Sequence, residues 1–360
     1  MTVGRVRESV QALAAYRPGK SAKQAEAEHG IADAIKLASN ENPYQPVPSV
    51  VAAIEAAATG VNRYADHRAM ALRERLASWL SLSPEQIAVG CGSVGLLQQL
   101  CLTYIDPGDE VVYPWPSFEA YPINVKMMGG VPVLVDLVDH AFDLDAVAAA
   151  VTPKTKIVML ATPNNPTGTA VSTADLGAFL AKIPSDVIVL VDEAYREFTD
   201  PKFGDPVTDL VPNHRNVIVS RTLSKAYGLA GLRVGYAVAD PDVVAELDKV
   251  LLAFAVNGLA QAGALAALDS LDEIQPNIDR VLAERERLIA ELAEAGWALP
   301  DAQANFVYIP IGGATEDVAA KLEQEGVVIR PFPGEGIRVT VGTKEENNRF
   351  LTTLKATKNE

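Results

Sequence analysis

The stretch VIVSRTLSKAYGLAGLRVGYAVA, residues 217–239, joins two apolar runs through a polar, glycine-rich segment that carries a lysine. The first run reads as a buried strand ending in Ser-Arg-Thr-Leu-Ser-Lys, and a second strand follows the glycines. An ammonium at the end of a buried strand is costly unless it is paired or neutralised by a lowered pKa. Lys225 therefore either escapes to solvent or carries an amine meant to react.

The surrounding pattern places this segment in a fold. Strands are predicted at 86–90, 110–114, 131–137, 156–161, 187–192, 216–220 and 233–239. Helical patterns such as 68–80, 95–105 and 173–183 lie between most of them. Such alternation means crossover units and a largely parallel sheet covered on both faces. After about residue 240 the pattern changes to a long Ala/Leu/Glu-rich helical stretch, 242–297. Strand patterns at 304–310, 327–332 and 336–343 follow, with a helix at 315–326 among them. The expectation is an α/β chain. Residues 41–243 form a large domain with a mostly parallel sheet, and residues 1–40 and 244–360 form a smaller α+β domain.

Bulk properties limit the function classes. The chain has 360 residues, 49% hydrophobic and 21% charged, with a formal net charge of −15. Such a surface repels nucleic-acid phosphates and anionic lipid, so neither is an expected partner. Two cysteines and four scattered histidines lack metal-ligand spacing, so no metal site is expected. The N-terminus lacks an apolar signal-peptide core, and a cytoplasmic location is expected. The apolar segment 250–268 is interrupted by Asn257, Gly258 and Gln261, which favours a buried helix with a break over a membrane span.

Four polar clusters follow apolar runs directly: GCGSVG (90–95), TPNNPTG (162–168), DEAY (192–195) and SRTLSK (220–225). In open parallel sheets ligands gather at the carboxyl ends of strands, so these clusters would meet on one edge. GCGSVG matches the spacing of a dinucleotide-binding turn, but the acid expected at the end of the next strand is missing. It reads better as a phosphate cradle at a helix N-terminus, with Ser93 adding a hydroxyl. Asp192, after five apolar residues, is either a helix cap or a carboxylate awaiting a cation. Thr222 and Ser224 offer hydroxyls, and Arg233 a phosphate-gripping fork. A reactive lysine, a carboxylate for a pyridinium nitrogen and a phosphate site together describe a pyridoxal phosphate pocket.

With NNPTG, DEAY and TLSKAYGLAGLRVGY in place, the sequence resembles the fold-type-I, class I/II aminotransferases over nearly its whole length, from KLASNENPY (36–44) to GIRVTVGT (336–343). The branch it resembles holds the histidinol-phosphate and aromatic amino acid enzymes. The resemblance implies pyridoxal 5′-phosphate bound as a Schiff base to Lys225, which also shuttles the proton. It implies Asp192 at the pyridine nitrogen and Tyr195 and Asn165 at the phenolic oxygen. Gly92, Ser93, Val94, Thr222, Ser224 and Arg233 would surround the phosphate, and Phe118 would stack on the ring. Tyr64 would reach the neighbouring subunit of a homodimer, although NRYA stands here where the family usually has NRYP. Arg338 would bind the substrate carboxylate.

Substrate identity is divided between two readings. Tyr16, Arg17 and Arg330 could build a site for the phosphate of histidinol phosphate. The segments GCGSVGLLQQL and SFEAYP look more like actinobacterial aromatic, or phenylalanine, aminotransferases, in which Phe118 and Tyr16 would line an apolar pocket. The preferred expectation is ping-pong transfer between an aromatic amino acid and 2-oxoglutarate, with histidinol phosphate as the alternative donor. A nicotinamide dehydrogenase and a non-catalytic binding relative are the readings from other classes.

Overall fold

Twelve strands arise from the β-branched runs. They are β1 (Ile35–Lys36), β2 (Ile87–Gly90), β3 (Glu110–Trp115), β4 (Val131–Asp136), β5 (Thr155–Ala161), β6 (Ile188–Asp192), β7 (Val217–Thr222), β8 (Gly235–Val238), β9 (Phe306–Pro310), β10 (Val327–Val328), β11 (Arg330–Phe332) and β12 (Gly336–Thr340). These come from a computed structural model that describes residues 4–11, 13–15 and 19–357. Seven of the strands form one sheet in the order β2-β8-β7-β6-β5-β3-β4. The strands from β3 to β7 run parallel, and β8 is antiparallel to both of its neighbours.

Burial on both faces explains why the strands inside the sheet, β3 and β5 to β8, read as continuous apolar runs rather than alternating ones, while the edge strand β4 leaves Val131 and Leu134 exposed. Side chains still alternate between faces with period two. Val158, Leu160, Val189, Val191 and Val219 enter one core cluster with Leu176 and Phe179 of the helix Thr173–Leu180. Ile157, Met159, Ile188, Leu190 and Ile218 enter the other, with Leu96 and Leu100 of the helix Gly92–Tyr104.

A second group of strands lies beyond residue 300. The order β11-β12-β9 makes an antiparallel sheet, and β1 pairs in parallel with β10, so residues 35–36 of the N-terminal segment join residues 327–328. The run 327–332, expected as one strand, divides because its two halves bond to different sheets. The expected helical stretch 242–297 divides into Pro241–Lys249, Gly258–Asp269 and Leu271–Glu294. The first break falls where the Asn257 side chain accepts a hydrogen bond from the Ala260 N–H, the capping role that asparagine fills well. Among the described residues no helix is long and apolar enough to cross a membrane.

Two glycines bring the sheet and a helix N-terminus together. Gly90 and Gly235 are partners across β2 and β8. A Cβ on Gly235 would lie 2.8 Å from the backbone carbon of Gly92 and the backbone nitrogen of Ser93. A Cβ on Gly90 would lie 2.8 Å from the Leu96 side chain. The bare backbone lets the start of the helix Gly92–Tyr104 sit directly on the strand ends.

Candidate active site

The carboxyl ends of β5, β6 and β7 open into a cavity of about 240 Å³. Its lining includes Ser93, Val94, Phe118, Asn165, Asp192, Tyr195, Thr222, Ser224, Lys225 and Arg233, together with Arg330 and Arg338 from the second group of strands. The clusters from four separate strand ends thus meet as the parallel topology requires.

Alternation along β6 and β7 sorts the polar residues. Asp192 faces the cavity, and its carboxylate accepts hydrogen bonds from the Tyr121 hydroxyl at 2.9 Å and the Ser220 hydroxyl at 3.0 Å. Glu193, one residue on, pairs instead with the buried Arg221 at 2.6 Å, and Arg221 also reaches Asp205 at 2.6 Å. Burial raises the pKa of Asp192, while Tyr121, Ser220 and the Ala194 N–H act to lower it. All three of these donors are neutral. A carboxylate 7% exposed and bonded to neutral groups is matched by a cation entering the cavity.

Lys225 follows β7 by three residues. Its ammonium donates to the Ser39 carbonyl at 3.3 Å and lies 6.0 Å from the centre of the Tyr195 ring. Burial, with the guanidinium of Arg338 as the next cause, pushes its amine down to about 8. Desolvation disfavours the charged form, so a neutral, nucleophilic amine is accessible near physiological pH. The Tyr195 hydroxyl accepts from the Asn40 amide at 2.9 Å. Asn40 itself is buried at a left-handed φ of 52° and accepts from the Thr340 hydroxyl at 3.1 Å. Its backbone and side chain thereby tie the N-terminal segment to β12 and to Tyr195.

The TPNNPTG turn separates its two asparagines. The Asn164 side chain accepts from the Ser117 hydroxyl and donates to the Pro116 carbonyl, so it serves the turn. Asn165 faces the cavity, where its oxygen accepts from Arg338. Arg338 also donates to the Ala38 carbonyl at 2.6 Å.

The cavity also gathers groups suited to an anion. Ser93 and Val94 open the helix Gly92–Tyr104, where N–H groups are unsatisfied within the helix and the dipole favours negative charge. The Thr222 hydroxyl donates to Ser224, and Arg233 lies 3.5 Å from the Ser224 hydroxyl. A Cβ on Gly92, at φ 70°, would come 2.5 Å from the Arg233 guanidinium, so only a glycine leaves that fork its place. Helix N-terminus, hydroxyls and guanidinium fit a phosphate, and Asp192 fits a pyridinium nitrogen. The residues present therefore suit pyridoxal 5′-phosphate.

One expected site residue stands apart from the cavity. Tyr64 does not line the cavity; it is 82% exposed and stacks on Phe254 with ring centres 4.3 Å apart. Tyr16 and Arg17 lie outside the described residues. Arg330 lines the cavity but is ion-paired, its nitrogen 2.6 Å from the Glu119 carboxylate.

Sequence reading missed Tyr121, Ser220, Asn40 and Glu119. Faint signals exist for three of them. Ser220 is two residues from Thr222 on one strand face, and Tyr121 is one helical turn beyond Phe118. Glu119 sits beside that same phenylalanine. Nothing local marks Asn40, whose partners are 155 and 300 residues away.

Comparison with known proteins agrees with this geometry. The family model "Aminotransferase class I and II" matches residues 32–354. An aromatic amino acid aminotransferase of Mycolicibacterium vanbaalenii is 47% identical over 347 residues, covering 96% of each chain. One of Mycobacterium tuberculosis is 46% identical over 349 residues with the same coverage. Among solved structures, a histidinol-phosphate aminotransferase from Sinorhizobium meliloti in complex with pyridoxal 5′-phosphate superposes with a TM-score of 0.91. It is 31% identical and is matched over 99% of this chain and 98% of its own. Aspartate aminotransferase from Thermus thermophilus with maleate, at 24% identity and a TM-score of 0.83, shares the fold. With the family model spanning nearly the whole chain and the lysine, carboxylate and anion cradle converging on one cavity, this chain belongs to the class I and II aminotransferases.

Proposed function

We propose that this chain moves amino groups between aromatic L-amino acids and 2-oxoglutarate, with pyridoxal 5′-phosphate carried on Lys225. The observation that carries the aromatic reading is the ion pair of Arg330 with Glu119, which leaves the cavity wall without net charge where a neutral ring would lie. The aromatic names of relatives at 46–47% identity agree with it. Histidinol phosphate is the second reading, favoured by the superposition on the Sinorhizobium meliloti enzyme.

Pyridoxal 5′-phosphate, when bound, supplies a carbonyl that bonds amines and a ring that accepts the electron pair left by a departing proton. The chain's own residues do the rest. Ser93, Val94, Thr222, Ser224 and Arg233 hold the phosphate. Asp192 keeps the ring nitrogen protonated, and its own bonds to Tyr121 and Ser220 fix its orientation. Asn165 and Tyr195 hold the ring oxygen, with Asn40 fixing the Tyr195 hydroxyl. Phe118 flanks the ring. The Arg338 fork takes the substrate α-carboxylate, a planar bidentate match. The Nζ of Lys225, neutral for part of the time at pH near 8, takes the proton from the substrate Cα and delivers it in the reverse half-reaction. Alternation of amino and keto substrates on one site predicts ping-pong kinetics.

The chain acts as a homodimer in this reading. Tyr64, 82% exposed, stacks on Phe254, 41% exposed, an apolar pair that a second copy would cover. Sedimentation of the holoenzyme is expected to give a dimer at micromolar concentration, and a monomer there would refute this part.

Steady-state rates separate the two substrate readings. Phenylalanine is expected to exceed histidinol phosphate in kcat/KM by at least about tenfold, a difference of about 1.4 kcal/mol; the reverse order would establish the second reading.

Lys225→Met is expected to abolish turnover and covalent retention of the cofactor. It also tests the lowered pKa in the apoprotein. The folded pKa of about 8 lies below the ordinary 10.5, so the unfolded state binds more protons between those values. Wild-type stability therefore rises with pH across that window, and the variant lacks the rise. Urea midpoints at pH 7.5 and 9.5 should show the variant's stability advantage shrinking; a constant difference would contradict a depressed lysine.

A further inference from the structure

Glu119 precedes the helix Ala120–Met127, beside the large sheet, while Arg330 lies on β11, 211 residues away in sequence. One guanidinium nitrogen of Arg330 donates to both Glu119 oxygens, at 2.7 and 2.6 Å. Both residues line the cavity that holds Lys225 and Arg338. Arg330 is also the register partner of Arg338 across β11 and β12, so the two guanidinium side chains leave the sheet on one face. Arg338 stands at the carboxylate end of the substrate in the reading proposed above, on which this inference rests. Arg330 then stands one strand spacing further along the substrate.

An aminotransferase of this kind admits two unlike molecules to one cavity. The aromatic amino acid brings a neutral ring, and the 2-oxo diacid brings a second carboxylate. A free arginine would suit the diacid and leave an uncompensated charge beside the ring, which costs more than a paired one. A fixed ion pair would suit the ring and reject the diacid. We propose that Glu119 is a specificity-determining residue: its carboxylate is the exchangeable counter-ion of Arg330, present while a neutral side chain is bound and displaced when a distal anion takes its place. The pair is suited to such exchange. The Glu119 side chain is 38% exposed and can turn outward, while Arg330 is 16% exposed and stays at the wall. An exposed partner holds the pair weakly enough for a substrate carboxylate to compete.

Glu119→Gln removes the resident charge and keeps the shape. Binding to the holoenzyme is followed by the cofactor's absorbance, with glutarate and 3-phenylpropionate as inert probes of the two substrate classes. In Glu119→Gln the ratio of the dissociation constants, glutarate over 3-phenylpropionate, is expected to fall about tenfold relative to wild type. The KM for 2-oxoglutarate is expected to fall with it and the KM for phenylalanine to rise. The double variant Glu119→Gln, Arg330→Met is expected to lose the gain for glutarate, because the group that would use it is gone. An unchanged ratio in Glu119→Gln, including equal weakening of both probes, would overturn the proposal, as would a ratio that shifts equally without Arg330. Failure of wild-type enzyme to turn over phenylalanine would sink the aromatic reading instead, and the probe ratio would still judge Glu119.

Discussion

A buried carboxylate bonded to neutral donors is unstable as an anion until a cation meets it, and the site is organised around that debt at Asp192. The residue sits where it does because β6 is a central strand, flanked by β5 and β7 and buried on both faces. Its neighbour Glu193 points the opposite way, into a buried pair with Arg221 that joins the ends of β6 and β7. Breaking such a pair by removing one partner costs about 3–5 kcal/mol. The two strand ends are thereby held in register, and Asp192 and Lys225 keep a fixed relation through the short segment after β7.

Opposed requirements are met at the two ends of one cavity. Near the sheet, Asp192 and Lys225 are both held away from water, which raises the one pKa and lowers the other. At the far end, a helix N-terminus, two hydroxyls and Arg233 gather positive potential for a phosphate. The glycines at 90, 92 and 235 let backbone and guanidinium approach where any side chain would intrude. Arginines on β11 and β12 line the same cavity. Their distance in sequence from the large sheet is bridged by direct bonds, from Arg338 to Asn165 and from Arg330 to Glu119.

Much of this was legible before any coordinates. All seven strands of the large sheet were visible as short apolar runs, six of them because they are largely buried, and the edge strand β4 although Val131 and Leu134 are exposed. Asp192, Lys225 and Asn165 stood out because polar clusters that follow such runs have few inexpensive places to go, and Arg233 because it opens the next run beside them. The supports of those residues were not legible. Asn40 reaches Tyr195 only through the tertiary fold, and Tyr121 could as well have been a packing aromatic. The split of 327–332 between two sheets depended on long-range pairing with β1 and β12, which no local pattern carries. Arg330 was read as part of a phosphate site, and its ion pair with Glu119, 211 residues away, was not legible.

In the proposed holoenzyme the carboxylate of Asp192 holds a protonated pyridine nitrogen within this cavity. Nitrogen NMR of holoenzyme reconstituted with ring-labelled pyridoxal 5′-phosphate reads that proton directly. The expected result is a pyridinium shift at neutral pH that moves to the unprotonated range in Asp192→Asn. An unprotonated ring in the wild-type enzyme, or a pyridinium indifferent to the loss of that carboxylate, would contradict it.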